Sequence, residues 1–333
     1  MHRKVHFSMS STLLHGLRLM AIAIALCLVC SCSLEDDRDQ CCTPCNVMHY
    51  TYRPFGSDDF KNHISSLRHF LFDDAGAFIE EIAPGSDLQY QYLPLTEGDY
   101  TIVTLGNTSE ASHPNHYAGA PLEEFTLNHT LKFEDNTGIS ANTDELFWGV
   151  KNFHVESDGL LSPATGSSRT AEERNTLVTP MNNIHCHLTV RVEWANLPQY
   201  IGDYEMELDG IATRYSLHPG NASDVGRFIV PKGEMPSVHR IRVPMHGREL
   251  LGEFITLRYS DELIPVFRLL YGSEQITPDI DLARAFRIWG WRPSETHIQE
   301  YSIMIRIFSN GSVDIYPSID ASVDDWIDGG IFS

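Results

Sequence analysis

The chain has 333 residues, 42% of them hydrophobic and 21% charged, a globular composition long enough for two domains of about 150 residues. Its 24 Lys and Arg face 45 Asp and Glu, and the net charge of −21 argues against nucleic acid, whose phosphates such a surface repels. Seven cysteines are too few for a disulfide-built scaffold, and no 18-residue apolar run is present to span a membrane as a helix.

Residues 1–31 read as an export signal. Arg3, Lys4 and Arg18 precede an unbroken apolar run, Leu19 to Cys30, and no acid occurs before Glu35. That run, as a helix, rises about 18 Å, short of the ~30 Å hydrocarbon core, so cleavage rather than spanning is expected. Val29-Cys30-Ser31-Cys32 has the form of a lipobox: an aliphatic residue at −3, a small one at −1, then the cysteine that takes the lipid. Cys27 and Cys30 fit less well, because Leu26 and Val29 would stand at −1. The predicted lipidation site is therefore Cys32. The bland alternative is an ordinary signal peptide with incidental cysteines. Residues 32–45 form an acidic tether, with Glu35, Asp36, Asp37 and Asp39 close together, either a solvated spacer or a surface-export signal.

Beyond the tether the chain reads as strands and turns. Met48, Tyr50 and Tyr52 alternate with polar neighbours. Leu67–Phe72 and Ala77–Ile82 flank Asp73-Asp74-Ala75-Gly76, a hairpin signal. Leu88, Tyr90 and Tyr92 alternate with Gln89 and Gln91, and the Gly98 turn feeds a strand over 101–105. Residues 107–145 are polar and punctuated, and Leu146–Val155 is a further strand. A Ser-, Thr- and Gly-rich gap at 156–175 marks the expected domain boundary. Asn183–Trp194 is the clearest strand, with Ile184, Cys186, Leu188, Val190, Val192 and Trp194 on one face and His185, His187, Thr189, Arg191 and Glu193 on the other. Further strands are expected over 203–208, 227–230, 237–243, 253–259 and 301–308, the last turning at Asn310-Gly311 as a type I′ hairpin into 313–316. One helix is expected over 279–288, with Ile280, Ala283 and Phe286 near one face. This pattern predicts an all-β chain in two sandwiches, 46–175 and 176–333.

Residues that could carry chemistry are few. Cys42 and Cys45 have CxxC spacing but no second pair, so with Cys41 and a buried Cys186 they point to one local disulfide or none. His185 and His187 share a strand face at about 6.5–7 Å; a pair so placed can bind metal, but exposed sheet polarity is the simpler reading, as it is for His113 and His116. Asp58-Asp59 reads as a loop ahead of Phe60, and Trp326 beside Asp324-Asp325 as a core plug. No nucleophile elbow, zinc-protease, P-loop or EF-hand motif occurs. The expectation is no enzyme, no catalytic residue, no cofactor and no metal.

In order, the lipobox, the acidic tether, Cys42-Thr43-Pro44-Cys45, the aromatic first strand, Phe72-Asp73-Asp74-Ala75-Gly76-Ala77-Phe78, the turn Leu95-Thr96-Glu97-Gly98-Asp99-Tyr100, Asp144-Glu145-Leu146-Phe147-Trp148-Gly149 and the strand His187-Leu188-Thr189-Val190-Arg191-Val192 resemble the fimbrial anchor lipoproteins of Gram-negative anaerobes, the family that pairs with fimbrillins. The likeness runs from about Cys32 to Ile315. It implies two tandem transthyretin-like β-sandwich domains after a lipoprotein signal peptide, and no catalysis. It also implies a lipid anchor in the outer membrane, exposed at the cell surface, that holds fimbrial subunits at the base of a pilus and limits its length. A fimbrial tip or accessory subunit shares these features. A reading from another class is a glycan-binding surface lipoprotein of a nutrient-uptake system, with Trp289, Trp291 or Trp326 as sugar platforms.

Overall fold

The aromatic alternation at the start of the first domain is strand β1 (Val47–Thr51), whose Met48 and Tyr50 are wholly buried. The computed structural model describes residues 47–134, 137–157, 159–163, 176–218 and 237–318. The export signal, Cys32, the tether with Cys41, Cys42 and Cys45, the strand expected at 227–230, Trp326 and the tail 319–333 lie outside the described residues.

From β1 the chain passes through the one-turn helix α1 (Phe60–His63), the hairpin β2 (Leu67–Phe72) and β3 (Phe78–Ile82), then β4 (Tyr90–Tyr92) and β5 (Gly98–Gly106). Next come β6 (Ser112–Asn115), β7 (Thr126–His129), β8 (Lys132–Glu134), β9 (Thr137–Ser140), β10 (Phe147–Val155) and β11 (Leu161–Pro163). The second half supplies β12 (Thr176–Pro180), β13 (Asn182–Asn183), β14 (His185–Trp194), β15 (Asp203–Asp209), β16 (Arg214–Ser216), β17 (Ser237–Pro244) and β18 (Glu249–Leu257). It closes with β19 (Val266–Tyr271), β20 (Glu274–Gln275), β21 (Ile280–Asp281), α2 (Leu282–Trp289), β22 (Gln299–Ile307) and β23 (Val313–Pro317). The chain is all-β, as expected. Among the described residues no helix is long and apolar enough to cross a membrane.

These strands stack in layers. A sheet ordered β12-β1-β4 covers one face of the sheet β11-β10-β5-β2-β3, with Met48, Tyr50, Leu71, Ile102 and Phe153 between them. The opposite face of that larger sheet is covered by β16-β7-β6, enclosing Phe70, Phe72, Val103, Phe125 and Tyr215. Burial on both faces explains why β2 ends in the unbroken apolar run Phe70-Leu71-Phe72. In the second half, β18-β14-β22-β23 packs on the sheet containing β19, β15 and β17, around Leu188, Val190, Met206, Phe254 and Ile303.

The boundary expected at 175/176 is crossed in four places. β12 pairs in parallel with β1, β13 pairs antiparallel with β10, β16 pairs with β7, and β17 pairs in parallel with β9. Residues 46–333 accordingly form one compact unit. The three clusters leave two tandem sandwiches as a proposal in which the halves exchange edge strands.

Several local expectations need correction. In β4 it is Gln91 that is buried, while Tyr90 and Tyr92 are exposed. The Gln91 amide accepts from Gly85 N at 2.8 Å and donates to the Tyr92 carbonyl at 2.9 Å, so its burial leaves no polar atom stranded, and Tyr90 stacks on His49 at 4.6 Å. The polar stretch 107–145 holds β6, β7, β8 and β9. The β22–β23 turn is not type I′, because Gly311 has φ 79° while Asn310 does not share a positive φ. Its Gly311 N → Phe308 O and Phe308 N → Ser312 O bonds make a longer loop with glycine at the left-handed position. α2 starts later than expected, since Ile280 pairs with Phe267 and Asp281 caps Arg284 N at 2.9 Å. Its buried face is consequently Leu282, Ala285 and Phe286 rather than Ala283.

β14 follows its alternation closely: Cys186, Leu188, Val190 and Val192 have no exposed surface, and Trp194 is nearly covered. Cys186 is a free buried thiol. His185 departs from the pattern, being buried although it has the parity of the polar face. Val190→Asp is expected to unfold the chain, at a cost above about 4 kcal/mol, because a carboxylate there has neither water nor a partner. Thr189→Asp, one residue away on the outer face, should change stability by less than about 1 kcal/mol in urea unfolding.

Candidate functional site

The burial of His185 has a local cause. The segment ahead of β10 and the end of α1 close over the start of β14, forming a small pocket of about 60 Å³ lined by Tyr52, His63, Glu145, Asn183, His185, His187 and Glu300. His185 Nδ1 lies 2.9 Å from the Leu146 carbonyl, a contact that requires Nδ1 to carry the proton. Nε2 is thus the lone-pair nitrogen, and it accepts from Asn183 Nδ2 at 3.3 Å. Burial pushes the His185 pKa down to about 3, so the imidazole is neutral. His187 Nε2 stands 3.5 Å from Glu145 Oε1, and the two imidazole rings meet edge to face at 5.0 Å. His63 Nδ1 is 3.8 Å from the other Glu145 oxygen, and its Nε2 is 3.1 Å from Asp59 Oδ2.

One residue holds this arrangement in place. Asn107 has a left-handed backbone (φ 59°), and its amide donates to the carbonyls of His63 at 2.7 Å and Glu145 at 3.0 Å. Its Oδ1 accepts from Ser65 N at 2.9 Å and Ser66 N at 3.3 Å. Beneath the pocket lies Arg258, 5% exposed, whose guanidinium donates to the carbonyls of Asn183 and His297 at 3.0 Å each and to those of Pro293 and Thr296. Burial lowers its pKa from the ordinary value. Burial and then the acids Glu300, Glu145 and Asp59 push the Tyr52 hydroxyl up to about 12, which marks the pocket as acidic. Neither Asn107 nor Glu145 is singled out as a site residue by the sequence; the positive φ of Asn107 has no signal there beyond Asn's tolerance of it.

The other expected constellations do not assemble in this way. His113 lies by Thr130 at 3.4 Å, while His116 packs its ring against Phe70 and Phe78. Asp58 does form the loop: its carboxylate accepts from Tyr52 N at 3.0 Å and Gln89 Nε2 at 2.8 Å. Trp289 and Trp291 pack on each other at 4.9 Å and against Phe286, with Trp291 tilted on Tyr301, and both, half-buried, pack at the margin of the core. A wider groove of about 520 Å³ runs over the outer face of β14, β18 and β22, bordered by Arg191, Glu249, Leu251 and Ser318.

A family model described as fimbrillin-A associated anchor proteins Mfa1 and Mfa2 matches residues 40–327. The chain belongs to this fimbrial anchor family. No curated protein matches. Among solved structures, the fold is similar to the fimbrial anchor protein Mfa2 from Porphyromonas gingivalis, with 12% identity, a TM-score of 0.57, and 82% of this chain and 96% of that one covered. It is also similar to a candidate polysaccharide-binding protein from Bacteroides thetaiotaomicron (13% identity, TM-score 0.58, 82% and 98% covered) and to a candidate adhesin from Bacteroides ovatus (11%, 0.56, 81% and 92%). At these identities the structures speak for the fold, and the family model for membership. The chain is thereby a fimbria-associated protein.

Two further buried histidines give the anchor-family fold an acid limit. His69 sits between Tyr50 and Thr104, and His239 donates to Asn142 Oδ1 at 2.7 Å. Burial lowers their pKa values from 6.5 to about 4 and about 3. Between those values and 6.5 the unfolded chain binds more protons, so stability rises with pH through this window and is lost as pH falls below 6.5. Each contributes a slope of at most about 1.4 kcal/mol per pH unit. His69→Gln and His239→Gln should each flatten the acid limb of urea midpoints measured from pH 4 to 8. Separately, Asn107→Ala should cost roughly 2–3 kcal/mol through lost hydrogen bonds and a strained φ, and Asn107→Gly less, since glycine keeps the backbone.

Proposed function

We propose that this chain is a surface-exposed outer-membrane lipoprotein, acylated at Cys32, that holds fimbrillin-type subunits at the base of a fimbria and limits its length without catalysis. The observation that carries this reading is the family match over residues 40–327. Val29-Cys30-Ser31-Cys32 supports the lipid attachment, and each buried acyl methylene adds about 0.8 kcal/mol to membrane binding. The solved relative from Porphyromonas gingivalis carries the name fimbrial anchor, which agrees with the base of the pilus rather than its tip.

Contact with the pilus is assigned to the β23 margin. In the order β18-β14-β22-β23 this strand is an edge, and an edge strand is a template for strand addition from another chain. Ser318 N still bonds Ser302 O at 2.8 Å, so the register with β22 continues to the start of the tail. The tail over 319–333 then either donates a strand to a subunit or plugs its own sandwich.

Cys32→Ala should leave an unprocessed precursor that takes up no labelled fatty acid; labelling that persists would move the site. Deleting Asp320–Ser333 should leave a folded, lipidated protein that sheds its fimbriae into the medium if the tail is the donor, whereas loss of folded protein assigns the tail to the domain's own core. Pulldown from outer membranes should recover fimbrial subunits. Recovery of an uptake porin would favour the glycan-binding alternative instead.

A further inference from the structure

We propose that Glu145, His185 and His187 form a binding site for one divalent transition-metal ion of the zinc class, with His63 facing the fourth position. One ligand atom from each of the three lies within 4.8 Å of the others, the group of this kind found among the described residues. Tetrahedral zinc with bonds of 2.0–2.1 Å places neighbouring ligand atoms about 3.4 Å apart. The His187 Nε2 to Glu145 Oε1 distance is already 3.5 Å. The remaining gap closes by side-chain rotation, because His187 and Glu145 are 33% and 42% exposed.

The surroundings are those a metal ligand needs. His185 is oriented by its Nδ1–H bond to the Leu146 carbonyl, which leaves Nε2 as the lone-pair nitrogen, and its ring meets that of His187 edge to face. His63 is oriented by Asp59 through its far nitrogen, the carboxylate–imidazole arrangement that commonly backs a ligating histidine. Asn107 fixes the main chain of both His63 and Glu145. A metal at His185 Nε2 displaces only the long 3.3 Å bond from Asn183. Two imidazoles and a carboxylate suit zinc, copper or nickel better than calcium or magnesium, which prefer all-oxygen shells. The buried charge of Arg258 opposes a cation here, while Glu145 and Glu300 line the same pocket and favour one.

Such an ion would staple three segments far apart in the sequence: the end of α1, the strand entry at 145 and the start of β14. Its function would be structural, clamping the seam where the two halves exchange strands.

The test uses the detergent-solubilised full chain, stripped with chelator and then dialysed against Zn2+. One ion per chain by atomic emission, a raised Tm, and an intense d–d absorption on Co2+ substitution are expected. His187→Ala and Glu145→Gln alter partly exposed side chains and should keep the fold, by circular dichroism, while losing the ion, the Tm rise and the Co2+ band. Wild type that binds no stoichiometric ion overturns the proposal. So does zinc retained equally by both variants, which would locate it elsewhere, for instance at Cys42 and Cys45.

Discussion

β14 is the constraint on which the second half of the molecule rests. Every residue from Cys186 to Glu193 is paired on both sides, antiparallel to β18 and parallel to β22. Its inner face supplies the floor on which the opposite sheet packs. Directly opposite Val190 stands Gly252, where a Cβ would run into Met206 and Ile241 from the facing sheet. The missing side chain admits the Met206 thioether, a flexible filler suited to an irregular gap. A one-residue slip of β14 would turn Leu188, Val190 and Val192 to water and bring Arg191 and Glu193 inside. The strand therefore has a single tolerable register.

Where the halves meet, polar groups set the geometry. Asn107 binds two carbonyls and two main-chain amides from segments that apolar contacts alone would leave loosely placed. Arg258 is a cation enclosed by carbonyl dipoles, so its charge is solvated by oriented peptides instead of by water or a carboxylate. Groups of this kind add little net stability compared with apolar packing. They are exacting about position, since a displaced carbonyl leaves an unmet donor in a buried place. The histidine cluster sits directly above them and inherits that order.

How much of this was legible depended on whether one face of an element met water. β14 and β22 show their alternation because one side is clearly buried. β4 shows alternation too, but the pattern does not say which face goes in, and Gln91 wins over the tyrosines because its amide is satisfied locally. His185 has polar parity and is buried only because α1 and residue 145 close over it, a relation with no local trace. Glu145 lies forty residues before His185, and nothing between them marks the two as neighbours. The parallel pairings of β1 with β12 and of β9 with β17 were hidden for the same reason. Asn310-Gly311 announced a turn correctly, though the class depends on a φ that asparagine can take with either sign.

The parallel contact between β14 and β22 carries a consequence for assembly of the chain itself. Glu193 and Arg306, joined across it at 2.8 Å, are 113 residues apart in sequence. A chain emerging from its N-terminus presents β14 with one margin filled by β18 and the other bare until almost the last strands arrive. During that interval the central strand of this sheet is an open template for any neighbouring chain. Pairing over such a span is slow compared with hairpin formation. A cell making this protein in quantity must either shield that margin or keep the chain extended until its end is available.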